Sequence, residues 1–162
     1  MLVPEPTRPS LSRYVEHGKL LPWSWVDERM KRSHNYWIAT KSSGFPSSRP
    51  VWGIWQDARL LFSSGSQIAR NLAVDPRVQV NLESGDELVI VEGTASPMRE
   101  LDLQFWVHAY NEKYHWDMPE STGDVYEVRP KRVLAWICDS SGEDGGVLFS
   151  NTATEWRFGK GA

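Results

Sequence analysis

The stretch FSSGSQIARNLAVDPRV, residues 62–78, decides the fold because it joins a strand end, a Ser/Gly loop and a short helix. The preceding apolar residues, 59–63, predict a strand, and the helix is predicted to start near Gln67 and to end before Pro76. The first N–H groups of a helix are unpaired and attract an anion. The loop therefore either binds a phosphate or is a plain helix start at which Ser66 caps those N–H groups.

The rest of the chain reads mainly as short antiparallel strands. NYWIAT (35–40) and SRPVWGIW (48–55) flank a Gly-x-Pro turn and predict a hairpin. The residues 78–84 alternate apolar and polar side chains, as one-faced strands do. A long strand follows at 87–98, where Gly93 predicts a bulge or bend. DVYEVRP (124–130) and RVLAWIC (132–138) predict a strand pair, and TATEWRF (152–158) a final strand.

Two further helices and two loops interrupt this pattern. Ser24 and Asp27 resemble a capping box before a helix at 25–31, and apolar residues recur at helical spacing over 99–115. A Gly/Ser/Asp-rich loop is expected at 139–146. We therefore predict a mainly β (α+β) antiparallel barrel with helical additions, which occupies residues 21–162 and follows an N-terminal arm at 1–20.

Composition limits the classes of function. The formal net charge is −3, with 18 basic and 21 acidic residues, so no basic stripe predicts a nucleic-acid partner. No apolar run reaches the length of a membrane span, which predicts a cytoplasmic protein without a membrane partner. The single cysteine, Cys138, falls in an apolar strand and is expected to be a buried, inert thiol.

Common catalytic signatures are missing from the sequence. The four histidines are scattered, without CxxC or HExxH spacing, so we expect no metal site. There is no Gly-x-Ser-x-Gly elbow for serine hydrolysis. We can name no catalytic acid or base from the sequence.

A second candidate for ligand binding is the segment from Arg49 to Gly53. Proline at position 50 favours a sheet edge with unpaired backbone groups, and Gly53 permits close approach to the backbone. Such groups can bind the polar rim of a flat heterocycle, while Arg49 can reach an anionic tail. Most of the nine tryptophans are expected to fill the barrel core and a subunit interface.

Several motifs occur in an order that resembles a known family: LLPWSW, NYWIAT, RPVWGIW, LFSSGSQIARNLAVDPRV, VIVEGTA, YNEKYHWD, VYEVRP and ATEWRF. Over residues 20–158 the chain resembles the pyridoxamine 5'-phosphate oxidase-like, FMN-binding split β-barrel proteins, in particular their flavin- and deazaflavin-dependent oxidoreductases. The resemblance implies a split-barrel homodimer with two cofactor sites at the subunit interface.

The same resemblance assigns expected site residues. Those at 49–52 would border the isoalloxazine ring, those at 62–64 would lie near the ribityl chain, and Trp156 would approach the site from the partner or close the interface. The loop would face the phosphate. The cofactor-binding residues expected are Arg49, Pro50, Val51, Trp52, Phe62, Ser63, Ser64, Ser66, Gln67, Arg70 and Trp156.

The loop departs from the family at two positions. Relatives carry an Arg-Lys pair that contacts the phosphate where this chain has Gln67 and Ile68. Two lost charge-assisted hydrogen bonds, each of about 1.5 to 3 kcal/mol, would weaken phosphate binding by orders of magnitude. Gln67 can donate one neutral bond, and Arg49 or Arg70 can compensate. Alternatively, Arg70 pairs with Asp75 or Glu83 as a structural residue.

These expectations predict an oxidoreductase that binds FMN, or alternatively the 8-hydroxy-5-deazaflavin coenzyme, and transfers a hydride between the ring and a small organic substrate. The alternative is a dimeric, non-catalytic ligand-binding split barrel with a degenerate phosphate site. A haem-binding barrel is disfavoured because no histidine falls on a predicted interface strand. Pyridoxamine phosphate is not expected as the substrate.

Overall fold

The computed structural model of the chain describes residues 1–10, 18–41, 43–65, 67–98, 103–119, 124–138, 141–142 and 145–159. Within these residues it contains one antiparallel sheet and four helices. The helices are α1 (Trp23–Arg32), α2 (Gln67–Val74), α3 (Leu103–Tyr114) and α4 (Gly145–Thr152). The strands are β1 (Tyr36–Thr40), β2 (Ser47–Val51), β3 (Gly53–Gln56), β4 (Arg59–Ser63), β5 (Arg77–Asn81), β6 (Glu87–Pro97), β7 (Val125–Ile137) and β8 (Thr154–Arg157).

The strand order explains why the barrel is split. Hydrogen-bonded neighbours run β2-β1-β5-β6-β7-β4-β3, and β8 pairs with β7 off this path. The two ends of the path, β2 and β3, are consecutive in the chain and are separated only by Trp52. The sheet therefore curls back on itself without closing, and this confirms the predicted mainly β, antiparallel split barrel with helical additions.

The alternating strands place their apolar side chains inside the barrel. Val78 and Val80 of β5 are buried between partly exposed polar neighbours, as the sequence pattern predicts. The barrel interior also contains the fully buried side chains of Val26, Met30, Tyr36, Ile38, Leu60, Phe62, Val91, Val128, Val133, Ala135 and Trp156. Burial of these side chains is the main stabilising term of the fold.

A smaller apolar cluster lies between α3 and strands β3 and β4. It comprises Ile54, Leu61, Trp106, Val107, Tyr110, Tyr114 and Val125. This cluster fixes α3 on the outside of the barrel, next to the connection between β2 and β3.

Two strands predicted as a pair form one strand instead. The residues 124–130 and 132–138 belong to the 13-residue β7, which passes through Pro130 without a break. Proline lacks an N–H group, but it lies opposite Gly93, where the register of the β6–β7 ladder shifts. The predicted bulge at Gly93 is confirmed, and it removes the need for a hydrogen bond from Pro130.

The predicted capping box of α1 is wrong. The helix begins at Trp23, its N-cap is Pro22, and no side chain caps it, so Ser24 lies inside the first turn. The carboxylate of Asp27 instead accepts the indole N–H of Trp55 at 3.0 Å and pairs with Lys31 at 2.7 Å.

The end of the chain also differs from expectation. Residues from Gly145, predicted to form a loop and then a strand, form α4, and β8 begins only at Thr154. Cys138 follows β7 and is half-buried, so the prediction of a buried strand position for its thiol is wrong.

Part of the N-terminal arm packs on the barrel. The backbone of Thr7 exchanges two hydrogen bonds of 2.8 Å with Glu155 of β8. The guanidinium of Arg8 donates to the carbonyl groups of Ser150 and Ala153. These contacts cover one edge of β8, while residues 11–17 of the arm lie outside the described part of the chain.

Candidate functional site

A groove of about 490 Å³ opens at the seam where the barrel does not close. Its walls come from the end of β2, the Trp52 linker, the end of β4, the loop after it, the first turn of α2, and α3. The lining residues are Arg49, Pro50, Val51, Trp52, Ser63, Ser64, Gly65, Gln67, Ile68 and Tyr110. We call this the seam groove. It joins the two segments that the sequence marked separately as candidates for ligand binding.

The β2 wall offers backbone groups to a ligand. Strand β2 is paired on one side only, with β1. Pro50 has no N–H to donate, and a strand with one open edge accommodates it without loss of a ladder hydrogen bond. The guanidinium of Arg49 is exposed, and it forms no salt bridge with any described carboxylate.

Trp52 is held against α3 by aromatic contacts. Its indole ring stacks on Tyr114, with centroids 4.7 Å apart and planes inclined by 4°. Trp116 and His34 approach it edge-on at 6.1 and 5.4 Å. Trp52 is 36% exposed, so part of the indole remains available to a ligand in the groove.

Tyr114 also fixes the start of β3. Its hydroxyl accepts the N–H of Gly53 at 2.9 Å and donates to the carbonyl of His34 at 2.8 Å. Burial raises the pKa of Tyr114 to about 12, so the hydroxyl stays protonated at neutral pH. The start of β3, directly after Trp52, is therefore fixed by a neutral hydrogen-bonding group.

Lys113 also contacts the start of β3. Its ammonium donates to the hydroxyl of Tyr36 at 2.9 Å and to the carbonyl of Gly53 at 3.0 Å. Burial lowers the pKa of Lys113 to about 8 and raises that of Tyr36. Lys113 is not among the lining residues of the seam groove, so its effect on a ligand would pass through Gly53 and Trp52.

The Ser/Gly loop is tied to the start of β7. The hydroxyl of Ser63 donates to the carbonyl of Asp124 at 3.2 Å, and the N–H of Ser64 donates to the same oxygen at 3.3 Å. The helix α2 starts at Gln67, as the sequence predicts. Ser66, expected to cap the helix or to bind phosphate, lies outside the described residues.

Gln67 belongs to a chain of polar side chains. Its amide nitrogen donates to Asn71 at 2.8 Å, and Asn71 in turn donates to the buried hydroxyl of Thr40 at 2.8 Å. Its amide oxygen accepts two hydrogen bonds from Arg70, at 2.8 and 3.2 Å. The amide donor predicted to reach a phosphate is thus engaged with Asn71.

The predicted structural partners of Arg70 are wrong. Asp75 pairs with Arg77 at 2.6 Å, and Glu83 accepts a hydrogen bond from Asn35 at 3.0 Å. Arg70 is held by Gln67 one helical turn earlier, because residues three apart lie on the same face of a helix.

The predicted site residues that the structure describes, all but Ser66, fall into three groups. Seven line the seam groove: Arg49, Pro50, Val51, Trp52, Ser63, Ser64 and Gln67. Arg70 lines a neighbouring groove, which also includes Gln67. Phe62 and Trp156 have fully buried side chains inside the barrel, so they do not line the groove. Trp156 packs edge-on against Trp23, with ring centroids 5.5 Å apart, and its approach to a site across the subunit interface stays a prediction.

The sequence did not indicate Tyr110 as a site residue. It lies on the inner face of α3, and helical spacing alone does not show which strand that face covers. Gly65 and Ile68 were also missed as lining residues, although both belong to the loop and helix start already singled out.

Among the described residues, no group of histidine, cysteine and acidic side chains is arranged to hold a metal ion. None of the helices in the described ranges is long and apolar enough to cross a bilayer.

A sequence profile of the pyridoxamine 5'-phosphate oxidase family matches residues 26–137, which is more than half of the chain. The chain belongs to this family. The matched span includes every strand except β8, and it contains all residues that line the seam groove. No curated protein matches the chain.

Solved structures share the same fold. A conserved hypothetical protein from Mycobacterium tuberculosis matches with a TM-score of 0.63 and 21% identity over 78% of this chain and 90% of that chain. An FAD-binding protein from Mesorhizobium loti matches with a TM-score of 0.58 and 14% identity over 85% and 96%. An F420 reductase matches with a TM-score of 0.53 and 19% identity over 66% and 94%. The TM-scores show that these proteins share a common architecture with this chain despite the low sequence identities. They confirm the split-barrel resemblance.

Proposed function

We propose that this protein is an oxidoreductase that binds a flavin or deazaflavin cofactor in the seam groove and exchanges a hydride with a small organic substrate. The observation that carries the proposal is the composition of the groove. The groove combines an aromatic wall at Trp52, the unpaired edge of β2, and a Ser/Gly loop that leads into α2. A flat ring with a polar rim and an anionic tail needs these three features.

The ring would lie along the β2 edge. Trp52 offers an apolar surface, and the unpaired edge of β2 offers backbone groups to the ring's polar rim. The backbone is held rigidly there because Tyr114 and Lys113 both bind Gly53. When bound, the cofactor supplies the hydride chemistry, while these residues orient it and exclude water.

The phosphate would lie at the loop. The N–H groups at the start of α2 favour an anion, and Arg49 adds a positive charge on the facing wall. Neither Gln67 nor Ile68 supplies the cationic contact that relatives use at these positions. The donor set fits a phosphate, with Arg49 as the cation in the seam groove.

The homodimer belongs to the same proposal. Trp37, Trp52 and Trp116 each leave more than a third of their surface exposed in the single chain. A second copy covering them would bury apolar surface and would close the open groove. Light scattering at micromolar concentration tests this part, because a monomer there contradicts it.

The alternative function, a non-catalytic ligand-binding barrel, has one observation in its favour. Ile68 is 1% exposed, and one N–H of the Gln67 amide is engaged with Asn71, so neither side chain offers a cationic contact to a phosphate. Under this alternative, Gln67→Arg should raise flavin affinity sharply. Unchanged affinity would indicate that the loop does not face the phosphate.

The experiment for the leading proposal is a titration of the purified protein with FMN, with FAD and, in parallel, with the deazaflavin coenzyme, followed by absorbance and fluorescence. A Gly65→Trp variant, in which a large side chain enters the groove from an exposed loop, is compared with Gly85→Trp in a distant exposed turn. Saturable binding by the wild type and by Gly85→Trp, with loss in Gly65→Trp, supports the proposal. Failure of the wild type to bind any of FMN, FAD and the deazaflavin coenzyme overturns it.

A further inference from the structure

A second groove, of about 300 Å³, lies on the other side of Gln67. It is lined by Lys41, Ser43, Gln67, Arg70, Asn71 and Val74. We call it the tail groove. Gln67 lines both this groove and the seam groove, so a ligand anchored at the Ser/Gly loop needs to pass only one side chain to enter it.

The tail groove is positively charged. Lys41 and Arg70 are both exposed, and neither forms a salt bridge with a described carboxylate. Lys41 interacts electrostatically with Asp75, whose pKa is lowered by its hydrogen bonds with Arg77 and, to a smaller extent, by the charge of Lys41. Because Asp75 is paired with Arg77, it compensates Lys41 only weakly.

Arg70 is oriented by a chain of hydrogen bonds anchored in the core. Thr40 and Asn71 are each 5% exposed, and Asn71 fixes the amide of Gln67. Gln67 then accepts from Nε and from one Nη of Arg70. An arginine has five N–H groups, so three remain to bind an anion. Gln67 is thus a positioning residue for Arg70.

We infer that Lys41 and Arg70 bind a second anionic group of the cofactor, beyond the phosphate at the Ser/Gly loop. The inference rests on the proposed function. It assigns the cofactor to a class in which an acidic group continues past the first phosphate, as in FAD or in the tailed deazaflavin coenzyme. FMN ends at its phosphate and would leave the tail groove empty. In relatives the cations on the loop would bind the first phosphate. In this chain Lys41 and Arg70 would instead bind the second anionic group.

The test compares ligands with and without the second anionic group. Affinities of FMN and FAD, and of the deazaflavin coenzyme and its riboside 5'-phosphate, which ends at the first phosphate, are measured for the wild type and for Lys41→Ala/Arg70→Ala. We expect at least one tailed ligand to bind the wild type about tenfold more tightly than its untailed counterpart, since each cation contributes a charge-assisted contact. The double variant should lose this advantage, while its affinity for FMN changes less than about twofold.

A matched control removes two positive charges elsewhere. Lys31→Ala/Arg32→Ala changes two exposed cations on α1, neither of which lines either groove, and it should keep the advantage of the tailed ligand. Gln67→Met, which removes the acceptor for Arg70, should reduce the advantage partly. Added salt should weaken the tailed ligand more than the untailed one.

The outcomes separate the two proposals. Equal affinity for tailed and untailed ligands, or an advantage that survives in Lys41→Ala/Arg70→Ala, overturns the inference and leaves the proposed function standing. Absence of binding by all four ligands overturns both. If only FAD binds more tightly than its untailed counterpart, the second anionic group belongs to FAD. If only the deazaflavin coenzyme does, it belongs to the tail of that coenzyme.

Discussion

The indole ring of Trp52 and the phenol ring of Tyr114 lie parallel, with centroids 4.7 Å apart and planes within 4°. This contact joins the linker between the two ends of the sheet to α3. It fixes an aromatic wall of the seam groove at the place where the barrel does not close. The groove is thus a consequence of the strand order, and α3 makes its wall rigid.

Removal of the Tyr114 hydroxyl should destabilise this linker. Tyr114→Phe keeps the stacked ring but leaves the buried N–H of Gly53 without its partner, which should lower the free energy of unfolding by about 1 to 3 kcal/mol. Urea denaturation measures the change. Tyr110→Phe is the matched control, because the hydroxyl of Tyr110 has no hydrogen-bond partner in the described ranges. Equal losses in the two variants would contradict the role given to Tyr114.

The bulge at Gly93 should not tolerate a side chain. A Cβ at this position would collide with the backbone carbonyl group of Arg129 on β7. Gly93→Ala should therefore lower the free energy of unfolding by about 1 to 3 kcal/mol. Gly85→Ala lies in open space and should stay within about 0.5 kcal/mol of the wild type. Thermal or chemical denaturation of both variants checks this, and an unaffected Gly93→Ala would show that β6 and β7 are further apart.

A lysine at position 68, which the family resemblance leads us to expect there, should harm the fold. Ile68 is 1% exposed and belongs to the barrel core, so Ile68→Lys would bury an ammonium group. We expect a loss of about 3 kcal/mol or more in the free energy of unfolding at neutral pH. Ile68→Leu, of similar volume, should lose less than about 1.5 kcal/mol. If Ile68→Lys is as stable as Ile68→Leu, the lysine side chain at position 68 can leave the core and turn toward the groove.

Lys113 predicts a pH dependence of stability. Burial lowers its pKa from 10.5 to about 8, so between these values the unfolded chain binds this proton more tightly than the folded chain. The contribution of Lys113 to the free energy of unfolding therefore rises as the pH increases through this window. Urea denaturation at about pH 7.5 and about pH 9.5 should show a gain in the wild type relative to Lys113→Met. A constant difference between the two proteins at both pH values would contradict the lowered pKa.

Local patterns in the sequence predicted most of the sheet. The alternation at Val78 and Val80 identified β5 and its inner face, and Gly93 indicated the bulge. The helix α4 was not predicted, because its sequence GGVLFSNT begins with two glycines, which are poor helix formers. The continuity of β7 was missed because proline normally ends a strand, and only its pairing with the bulge makes Pro130 acceptable.

The site was predicted where its residues are close in sequence. Arg49 to Trp52 and Ser63 to Ser64 were found because each set is one short segment. Tyr110 was not found, since only the packing of α3 brings it to the groove. The hydrogen bonds from Arg70 to Gln67 were missed because Gln67 was considered only as a phosphate donor.

The most direct test of the seam groove is the response of the tryptophan indole N–H signals in a nitrogen-15 NMR titration with FAD, FMN and the deazaflavin coenzyme. The signals of Trp52 and Trp156 are assigned from the spectra of Trp52→Phe and Trp156→Phe. A flat aromatic ring in the groove should shift the Trp52 signal in a saturable manner, and the signal of the buried Trp156 should stay in place. Binding that leaves the Trp52 signal unchanged would place the cofactor elsewhere and would contradict the account.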